Sequence, residues 1–313
     1  MTTVKNYLSL IKFSHTIFAM PFAMIGFFLG LRTKPGNGQW NLNRGIGSTE
    51  LPATNESSLK TFVLVILCMV FARSAAMAFN RYLDRSFDAK NPRTAIREIP
   101  AGIISPNSAL RFTIISCLLF VGACFFINRL CFFLSPVALF VILFYSYTKR
   151  FTPLCHLVLG LGLSLAPIGA YLAVTGKFSI LPILFSLAVI FWVSGFDIIY
   201  ALQDEEFDKS NKLYSMPSWL GKSKALRVSE LLHGLSTACV VSAGFYGGFG
   251  AWYWIGVAVF IGMLIYQHSV VKPNDLSKVN LAFMTANGVA SVVFAVFAIT
   301  DIFLSNHPSW PVF

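Results

Sequence analysis

The stretch Asn80-Arg-Tyr-Leu-Asp84-Arg-Ser-Phe-Asp88 follows a strongly apolar segment and places an amide and two carboxylates four residues apart. On an α-helix, residues i, i+4 and i+8 lie on one face. We therefore expect Asn80, Asp84 and Asp88 to share a polar helix face beside basic neighbours.

A second acidic stretch occurs later in the chain, Asp197-Ile-Ile-Tyr200-Ala-Leu-Gln-Asp204-Glu-Glu-Phe-Asp208. Its four polar positions are spaced by three, four and four residues, so they too would share a helix face. Most of the remaining chain is apolar and would form the scaffold that brings the two faces together.

The composition is that of a polytopic membrane protein. Of the 313 residues, 56% are hydrophobic and only 12% are charged, whereas a soluble domain carries about 25% charged residues. The six cysteines form no CxxC pair and fall in or beside apolar segments, which argues against a disulfide or zinc framework. We expect one all-helical membrane domain spanning residues 1–313.

Membrane spans need about 20 predominantly apolar residues. Nine segments of the chain qualify, and they would form a bundle around a central cavity. The predicted spans are 13–31, 59–80, 109–127, 131–148, 154–174, 180–200, 225–247, 250–271 and 279–304.

The distribution of basic residues predicts the orientation. Of the 24 Lys and Arg residues, 17 fall on the side that holds the N-terminus and both acidic stretches, 6 fall on the other side, and Arg73 lies within a span. The positive-inside rule then places the N-terminus and the connections 81–108 and 201–224 in the cytoplasm, and Phe313 outside. The net charge of +11 mostly reflects topology, so it gives no support for nucleic-acid binding. The outer connection 32–58 is rich in Gly, Asn, Ser and Thr and is expected to be a flexible loop.

Eight of the 13 acidic residues lie in or next to the two motifs. Acidic loops are ordinarily just solvated, but two stretches with matching spacing on the same side favour a functional site. Carboxylates at a membrane surface that are surrounded by Arg and Lys suit Mg²⁺ and a diphosphate. A transporter is the alternative of a different class, but it would favour carboxylates near the middle of the bilayer.

The two motifs resemble the aspartate-rich motifs of the UbiA superfamily of intramembrane prenyltransferases. The resemblance extends to Asn91-Pro-Arg93-Thr94, to Arg97-Glu-Ile-Pro100-Ala-Gly102 and to Tyr145-Ser-Tyr-Thr-Lys149-Arg150, and it covers nearly the whole chain. The segment 12–23 is similar to the branch of 4-hydroxybenzoate polyprenyltransferases and their menaquinone-pathway relatives. Two features depart from the family: Arg81 stands where many members have an acid, and the 32–58 loop is longer.

The resemblance implies a Mg²⁺-dependent transfer of a polyprenyl group from its diphosphate to an aromatic acid in a lipid bilayer, most simply the bacterial inner membrane. The acceptor would be 4-hydroxybenzoate in ubiquinone or menaquinone biosynthesis, with a futalosine-route naphthoate or a dihydroxynaphthoate as rivals. The residues that would take part, by role, are the metal ligands Asn80, Asp84, Asp88, Asp204 and Asp208, the diphosphate ligands Arg93, Arg97, Lys149 and Arg150, and the catalytic residues Asp197 and Tyr200. In this scheme Tyr200 shields an allylic cation, and Asp197 orients the acceptor or Tyr200. Lys12 and His15 are weaker candidates for binding the acceptor's carboxylate, because the simpler interpretation of them as an interfacial anchor pair is favoured.

Overall fold

The computed structural model describes residues 2–11, 18–33, 55–305 and 310. This part of the chain is nearly all helical, and its one extended pairing is an isolated bridge between Lys272 and Asp275. A 3₁₀ turn over Leu202–Asp204 follows helix α7, and a π-helical turn over Ala282–Ala286 precedes helix α13. The helices in chain order are α1 (Thr2–Leu10), α2 (Met20–Thr33), α3 (Asn55–Asp88), α4 (Pro106–Ile127), α5 (Arg129–Thr148), α6 (Cys155–Thr175), α7 (Ile180–Ala201), α8 (Glu205–Ser210), α9 (Met216–Leu220), α10 (Lys222–Gly247), α11 (Ala251–Val270), α12 (Val279–Leu281) and α13 (Asn287–Leu304).

The described chain contains eight helical segments long and apolar enough to cross a membrane, together with the shorter apolar helix α2. The expected all-helical membrane fold is confirmed, and the nine expected spans correspond to these eight segments and α2. The first span was expected over 13–31, whereas α2 has 14 residues and covers only about 21 Å at 1.5 Å per residue. Residues 12–17 lie outside the described chain, as does most of the outer loop 32–58.

The first acidic motif lies on a helix. The second span was expected to end at residue 80, but α3 continues without interruption to Asp88. The chain between Asn80 and Asp88 has no Gly or Pro to stop it, and its carboxylates find partners on other elements. The motif is therefore held on the same rigid rod that crosses the membrane.

The second acidic motif departs from a continuous helix. Helix α7 ends at Ala201, the 3₁₀ turn covers Leu202–Asp204, and α8 begins at Glu205. Tighter winding at this turn changes the direction in which Asp204 and Asp208 point relative to Asp197. The expected single helix face through these residues is thus wrong, although all of them remain at one end of the bundle.

A single residue joins α4 and α5. Asn128 caps α5 by accepting a hydrogen bond from the Cys131 amide (2.8 Å), and its own amide group donates to the Leu172 carbonyl at the end of α6 (2.9 Å). The expected turn over 128–130 is shorter than predicted because this one side chain satisfies backbone groups on two elements.

Close packing and a buried polar triad hold the bundle around α7. Trp192 is fully buried and donates to the side-chain oxygen of Asn287 (3.0 Å), which also accepts from Gln267 (2.7 Å). A Cβ on Gly160 would lie 2.4 Å from the Ile190 carbonyl oxygen, so only glycine lets α6 and α7 approach this closely.

Contacts between connections divide the bundle into two ends. At one end the Tyr214 amide donates to the Lys149 carbonyl (2.7 Å), and both acidic motifs lie nearby. At the other end the Trp310 indole donates to the Gly247 carbonyl (3.0 Å). This grouping agrees with the two sides predicted from the distribution of basic residues.

Candidate active site

A cavity of about 920 Å³ lies between helices α3, α4, α5 and α6. Along α6 its wall runs from Leu159 to Ala173, which corresponds to about 21 Å of helix. Most of the wall is aliphatic, and five Phe line it. The other Phe residues mostly fill the buried core or lie on the outer surface of the bundle. The polar end of the cavity lies beside the two motifs. It is lined by Ser9, Asn80, Arg81, Arg93, Arg97, Glu98, Asp197 and Tyr200.

Asp84 is the centre of the first motif. Its side chain is 3% exposed and pairs with two cations from the end of α5, Lys149 at 3.0 Å and Arg150 at 3.1 Å. Asn80, one turn earlier on α3, donates to the same carboxylate (3.2 Å). Arg150 also donates to the Leu83 carbonyl, which fixes its guanidinium against α3. The chain thus brings together four of the residues predicted for metal and diphosphate.

Asp88 points to a different group of residues. It accepts a hydrogen bond from Arg97 (2.6 Å) and lies 4.0 Å from the guanidinium of Arg81. Each four-residue step overshoots a full helical turn by about 40°, so Asn80 and Asp88 differ by about 80° around α3. Asn80 and Asp84 therefore share one face of α3 as expected, whereas Asp88 is turned toward Arg97 and Arg81.

Arg93 ties the first connection to the second motif. Its guanidinium forms a two-point ion pair with Asp204, in which Nε donates to Oδ1 at 3.1 Å and Nη2 donates to Oδ2. Nη1 donates to the Tyr200 hydroxyl (3.0 Å), and the guanidinium carbon lies 5.3 Å from the centre of that ring. Asn91 donates to Asp204 as well (3.1 Å). Burial lowers the pKa of Arg93, but the hydrogen bond and charge of Asp204, with a smaller contribution from Tyr200, outweigh burial and raise it above its usual value.

Asp208 is buried and supports the loop that follows it. One carboxylate oxygen accepts from the Ser215 hydroxyl (2.8 Å). Ser215 in turn caps α9 by accepting from the Ser218 amide. Part of the hydrogen-bonding capacity of Asp208 is therefore used to hold α8 against α9.

Asp197 and His156 form a pair beside the cavity. Asp197 lines the cavity, and its Oδ2 lies 2.7 Å from Nδ1 of His156, which is buried. The Met216 amide donates to Nε2 of the same ring (3.2 Å). Because Nε2 accepts this bond, the ring is neutral with its proton on Nδ1, and His156 donates to Asp197. Among the described residues, the other oxygen of Asp197 has no hydrogen-bond partner.

Within the described chain, no three His, Cys, Asp or Glu side chains lie close enough to form a metal site by themselves. Arg and Lys side chains of the chain itself pair with Asp84, Asp88 and Asp204 and balance their charge. Lys12 and His15 lie outside the described residues.

Three residues of the site are not among the predicted site residues: Asn91, His156 and Ser215. Each makes a contact with a predicted site residue, and two of these contacts join positions 113 and 41 residues apart. The available signals were weak: a histidine at the start of an apolar span, and Asn91 within a motif already quoted.

Comparisons with a family model, with related sequences and with solved structures all point to the same family. A family model described as the UbiA prenyltransferase family matches residues 48–299. The chain is 30% identical over 249 residues to a 4-hydroxybenzoate octaprenyltransferase of Nitrosospira multiformis, covering 78% of this chain and 84% of that protein. A protein of the same name from Alkalilimnicola ehrlichii is 28% identical over 236 residues, covering 75% and 80%.

Solved structures share the fold. A UbiA homologue from Aeropyrum pernix K1 in its apo form has a TM-score of 0.73 at 27% identity, covering 93% of this chain and 97% of that one. A UbiA homologue from Archaeoglobus fulgidus bound to GPP and Mg²⁺ has a TM-score of 0.67 at 20% identity, covering 95% and 99%. The family match spans most of the chain, includes both acidic motifs and favours an enzyme over a transporter. The chain is an integral membrane protein that belongs to the UbiA prenyltransferase family.

Proposed function

We propose that this protein transfers a polyprenyl group from polyprenyl diphosphate to an aromatic acid, with 4-hydroxybenzoate as the first candidate acceptor in quinone biosynthesis. One observation carries the proposal: an apolar cavity of about 920 Å³ ends between two acidic motifs whose carboxylates are paired with Arg and Lys. The names of the relatives in Nitrosospira and Alkalilimnicola support the choice of reaction.

The donor fits this arrangement in two parts. Its apolar chain would lie along the aliphatic wall between α3 and α6, where burial of hydrocarbon is favourable. Its diphosphate would lie at the polar end, where Arg93, Arg97, Lys149 and Arg150 supply the positive charge. Guanidinium groups bind phosphate oxygens in pairs, and Lys adds a point charge.

The candidate metal ligands fit Mg²⁺. Asn80, Asp84, Asp88, Asp204 and Asp208 offer only oxygen ligands, which hard cations prefer. Mg²⁺ usually takes one or two carboxylates and completes its shell with water and phosphate oxygens, so it does not need a cage of three protein ligands. Asp84 and Asp204 are the best placed, because each is held by hydrogen bonds from a neighbouring amide. When bound, Mg²⁺ would neutralise charge on the departing diphosphate.

The protein's own groups account for the remaining steps. Arg93, Lys149 and Arg150 would stabilise the negative charge that develops as the C–O bond of the donor breaks. The Tyr200 ring would face the resulting allylic cation, since aromatic faces attract positive charge. A ring carbon of the acceptor then forms the new C–C bond, and the ring proton leaves. The Asp197 oxygen that is not bonded to His156 would accept that proton, with His156 as the positioning residue.

The orientation is part of the proposal. We place the polar end of the cavity and the N-terminus in the cytoplasm of a bacterium, with the protein in its inner membrane and Phe313 outside. The strong excess of Lys and Arg at this end supports the assignment.

The test uses purified protein in detergent with Mg²⁺, a polyprenyl diphosphate and each candidate acceptor separately: 4-hydroxybenzoate, a dihydroxynaphthoate and a futalosine-route naphthoate. Mass spectrometry measures prenylated product, and a phosphate assay measures released diphosphate. We expect equal amounts of both with one acceptor. Absence of product with every acceptor would contradict the proposal, and product from a naphthoate alone would assign the protein to menaquinone synthesis.

A further inference from the structure

The π-helical turn Ala282–Ala286 leads into helix α13. Such turns are rare, because an extra residue disturbs the backbone hydrogen-bond ladder, and they occur frequently at functional sites. One inserted residue rotates the side chains before the turn by about 100° relative to those after it. The π turn therefore decides the direction in which Phe283 points relative to the rest of α13.

A buried polar side chain maintains this turn. The Asn287 amide donates to the backbone carbonyl of Phe283 (3.0 Å) and, at a longer distance, to that of Ala282 (3.4 Å). The side-chain oxygen of Asn287 accepts from Trp192 on α7 and from Gln267 on α11, and all three of these side chains are fully buried. The polar triad thus anchors the π turn to two other helices.

Phe283 reaches the wall of the cavity beside Tyr200. Both residues line the cavity, and their ring centroids lie 4.4 Å apart with an angle of 35° between the ring planes. Phe18 and Phe196, which also line the cavity, meet the Phe283 ring edge-on at 5.3 and 5.5 Å. The hydroxyl of Tyr200 accepts a hydrogen bond from Arg93 (3.0 Å). Tyr200 is therefore held at its hydroxyl by Arg93 and at its ring by Phe283.

We propose that Phe283 is a positioning residue, which the π turn places against Tyr200 so that the Tyr200 ring keeps its orientation at the reacting end of the cavity. This inference rests on the proposed function, in which that ring faces the allylic cation. A cation is attracted only when it lies over the face of a ring, within about 6 Å of its centre. A tilt of the Tyr200 ring would weaken this attraction in the transition state and leave binding of the diphosphate unaffected. Asn287 acts through Phe283, because it fixes the backbone that carries the Phe283 ring.

The test compares loss of the Phe283 ring with its retention. Steady-state kinetics per folded protein are measured for the wild type, Phe283→Leu and Phe283→Tyr, with a polyprenyl diphosphate and the aromatic acceptor that the wild type uses. For Phe283→Leu we expect kcat to fall roughly 10- to 100-fold, the effect of misplacing a group at the reacting atoms by about 1 Å, with KM for the donor unchanged. Phe283→Tyr keeps the ring that contacts Tyr200 and should retain most of kcat. Phe283→Met carries the same expectation as Phe283→Leu and takes its place if the leucine variant does not fold.

A double-mutant cycle tests the link through the π turn. Asn287→Ala should also lower kcat and leave KM for the donor unchanged. The double variant Phe283→Leu/Asn287→Ala should be no slower than Phe283→Leu alone, because a residue that acts through the Phe283 ring has no further effect once that ring is gone. Losses that multiply in the double variant would show that Asn287 acts by another route and would overturn the role given to the turn.

Phe294→Leu is the matched control. Phe294 lies on the same helix and is fully buried against Tyr253 and Phe260 in the core, so this variant should unfold at a lower temperature and keep its kcat per folded protein. Equal losses of kcat in Phe294→Leu and Phe283→Leu would reduce the effect to lost packing and overturn the proposal, as would a wild-type kcat in Phe283→Leu. A raised KM for the donor with unchanged kcat would make Phe283 a part of the wall that binds the apolar chain, and would overturn it as well. Wild-type protein that forms no product would instead contradict the proposed function itself.

Discussion

Replacing His156 by Phe isolates the role of the residue behind Asp197. The ring of His156 donates to Asp197 and accepts from the Met216 amide, so Phe removes two hydrogen bonds and leaves the size and the burial of the ring nearly unchanged. We expect kcat to fall while KM for the donor stays close to the wild-type value, because Asp197 would lose its orientation toward the acceptor and the diphosphate groups would be untouched.

The magnitudes follow from the two bonds. A hydrogen bond to a charged carboxylate is worth roughly 1.5–3 kcal/mol, and a buried amide left without an acceptor costs roughly 1–3 kcal/mol. The variant should therefore unfold at a lower temperature, with a loss of about 2.5–6 kcal/mol before the new ring contacts are counted. General-base catalysis contributes roughly 10²–10⁴-fold, so a misplaced Asp197 should lower kcat by at least about 10²-fold.

The assay separates positioning from folding. Thermal unfolding gives the stability of each variant, and product formation per folded protein gives kcat. His156→Gln is the informative second variant, because its amide can donate to Asp197 and accept from Met216, and it should recover part of kcat. If His156→Phe lowers the unfolding temperature but folded protein keeps its kcat, the proposed link between His156 and proton removal is wrong.

Three further predictions concern the metal, the acidic motifs and the topology. Chelation of divalent cations should abolish product formation, and added Mg²⁺ should restore it; activity that survives chelation would contradict metal dependence. Asp84→Ala and Asp204→Ala should each lower kcat by roughly 10²–10³-fold, as does removal of one group that stabilises developing charge, whereas the exposed Asp275→Ala should change nothing; an active double variant would rule out the assigned site. With the six native cysteines replaced, an impermeant maleimide should label Lys90→Cys only from the cytoplasmic side and Arg129→Cys only from outside, and the reverse pattern would invert the proposed orientation.

The sequence predicts the parts of the fold that depend on local composition. Hydropathy finds all eight long spans of the described chain, and apart from the extended end of α3 their bounds agree within a few residues, because each is a continuous apolar run. The four-residue spacing correctly puts Asn80 and Asp84 on one face of α3, since such spacing is preserved within one helix. Helix α2 is shorter than its apolar run implies, and α3 is longer. Hydropathy does not predict where these two helices end, because helix ends also depend on tertiary contacts.

The rest of the site depends on contacts between distant parts of the chain. Asn91 reaches Asp204 over 113 positions, and His156 reaches Asp197 over 41. The 3₁₀ turn before Asp204 changes the face predicted for the second motif, and no Gly or Pro announces it. The sequence marks Arg81 as a departure from the family pattern, but its burial beside Asp88 depends on tertiary contacts that the sequence does not show.

The ion pairs of Asp84 and Asp204 also bear on how the protein is made. Bringing several carboxylates together at a membrane surface is costly, and here Lys149, Arg150 and Arg93 offset that cost from within the same chain. The bundle can therefore assemble during membrane insertion, before any metal or substrate reaches it. Under the proposed function, binding of the donor would be an exchange of partners, in which the cations turn from carboxylates to phosphates. We expect such an exchange to cost less than creating charges in an apolar cavity, which favours rapid release of diphosphate after each turnover.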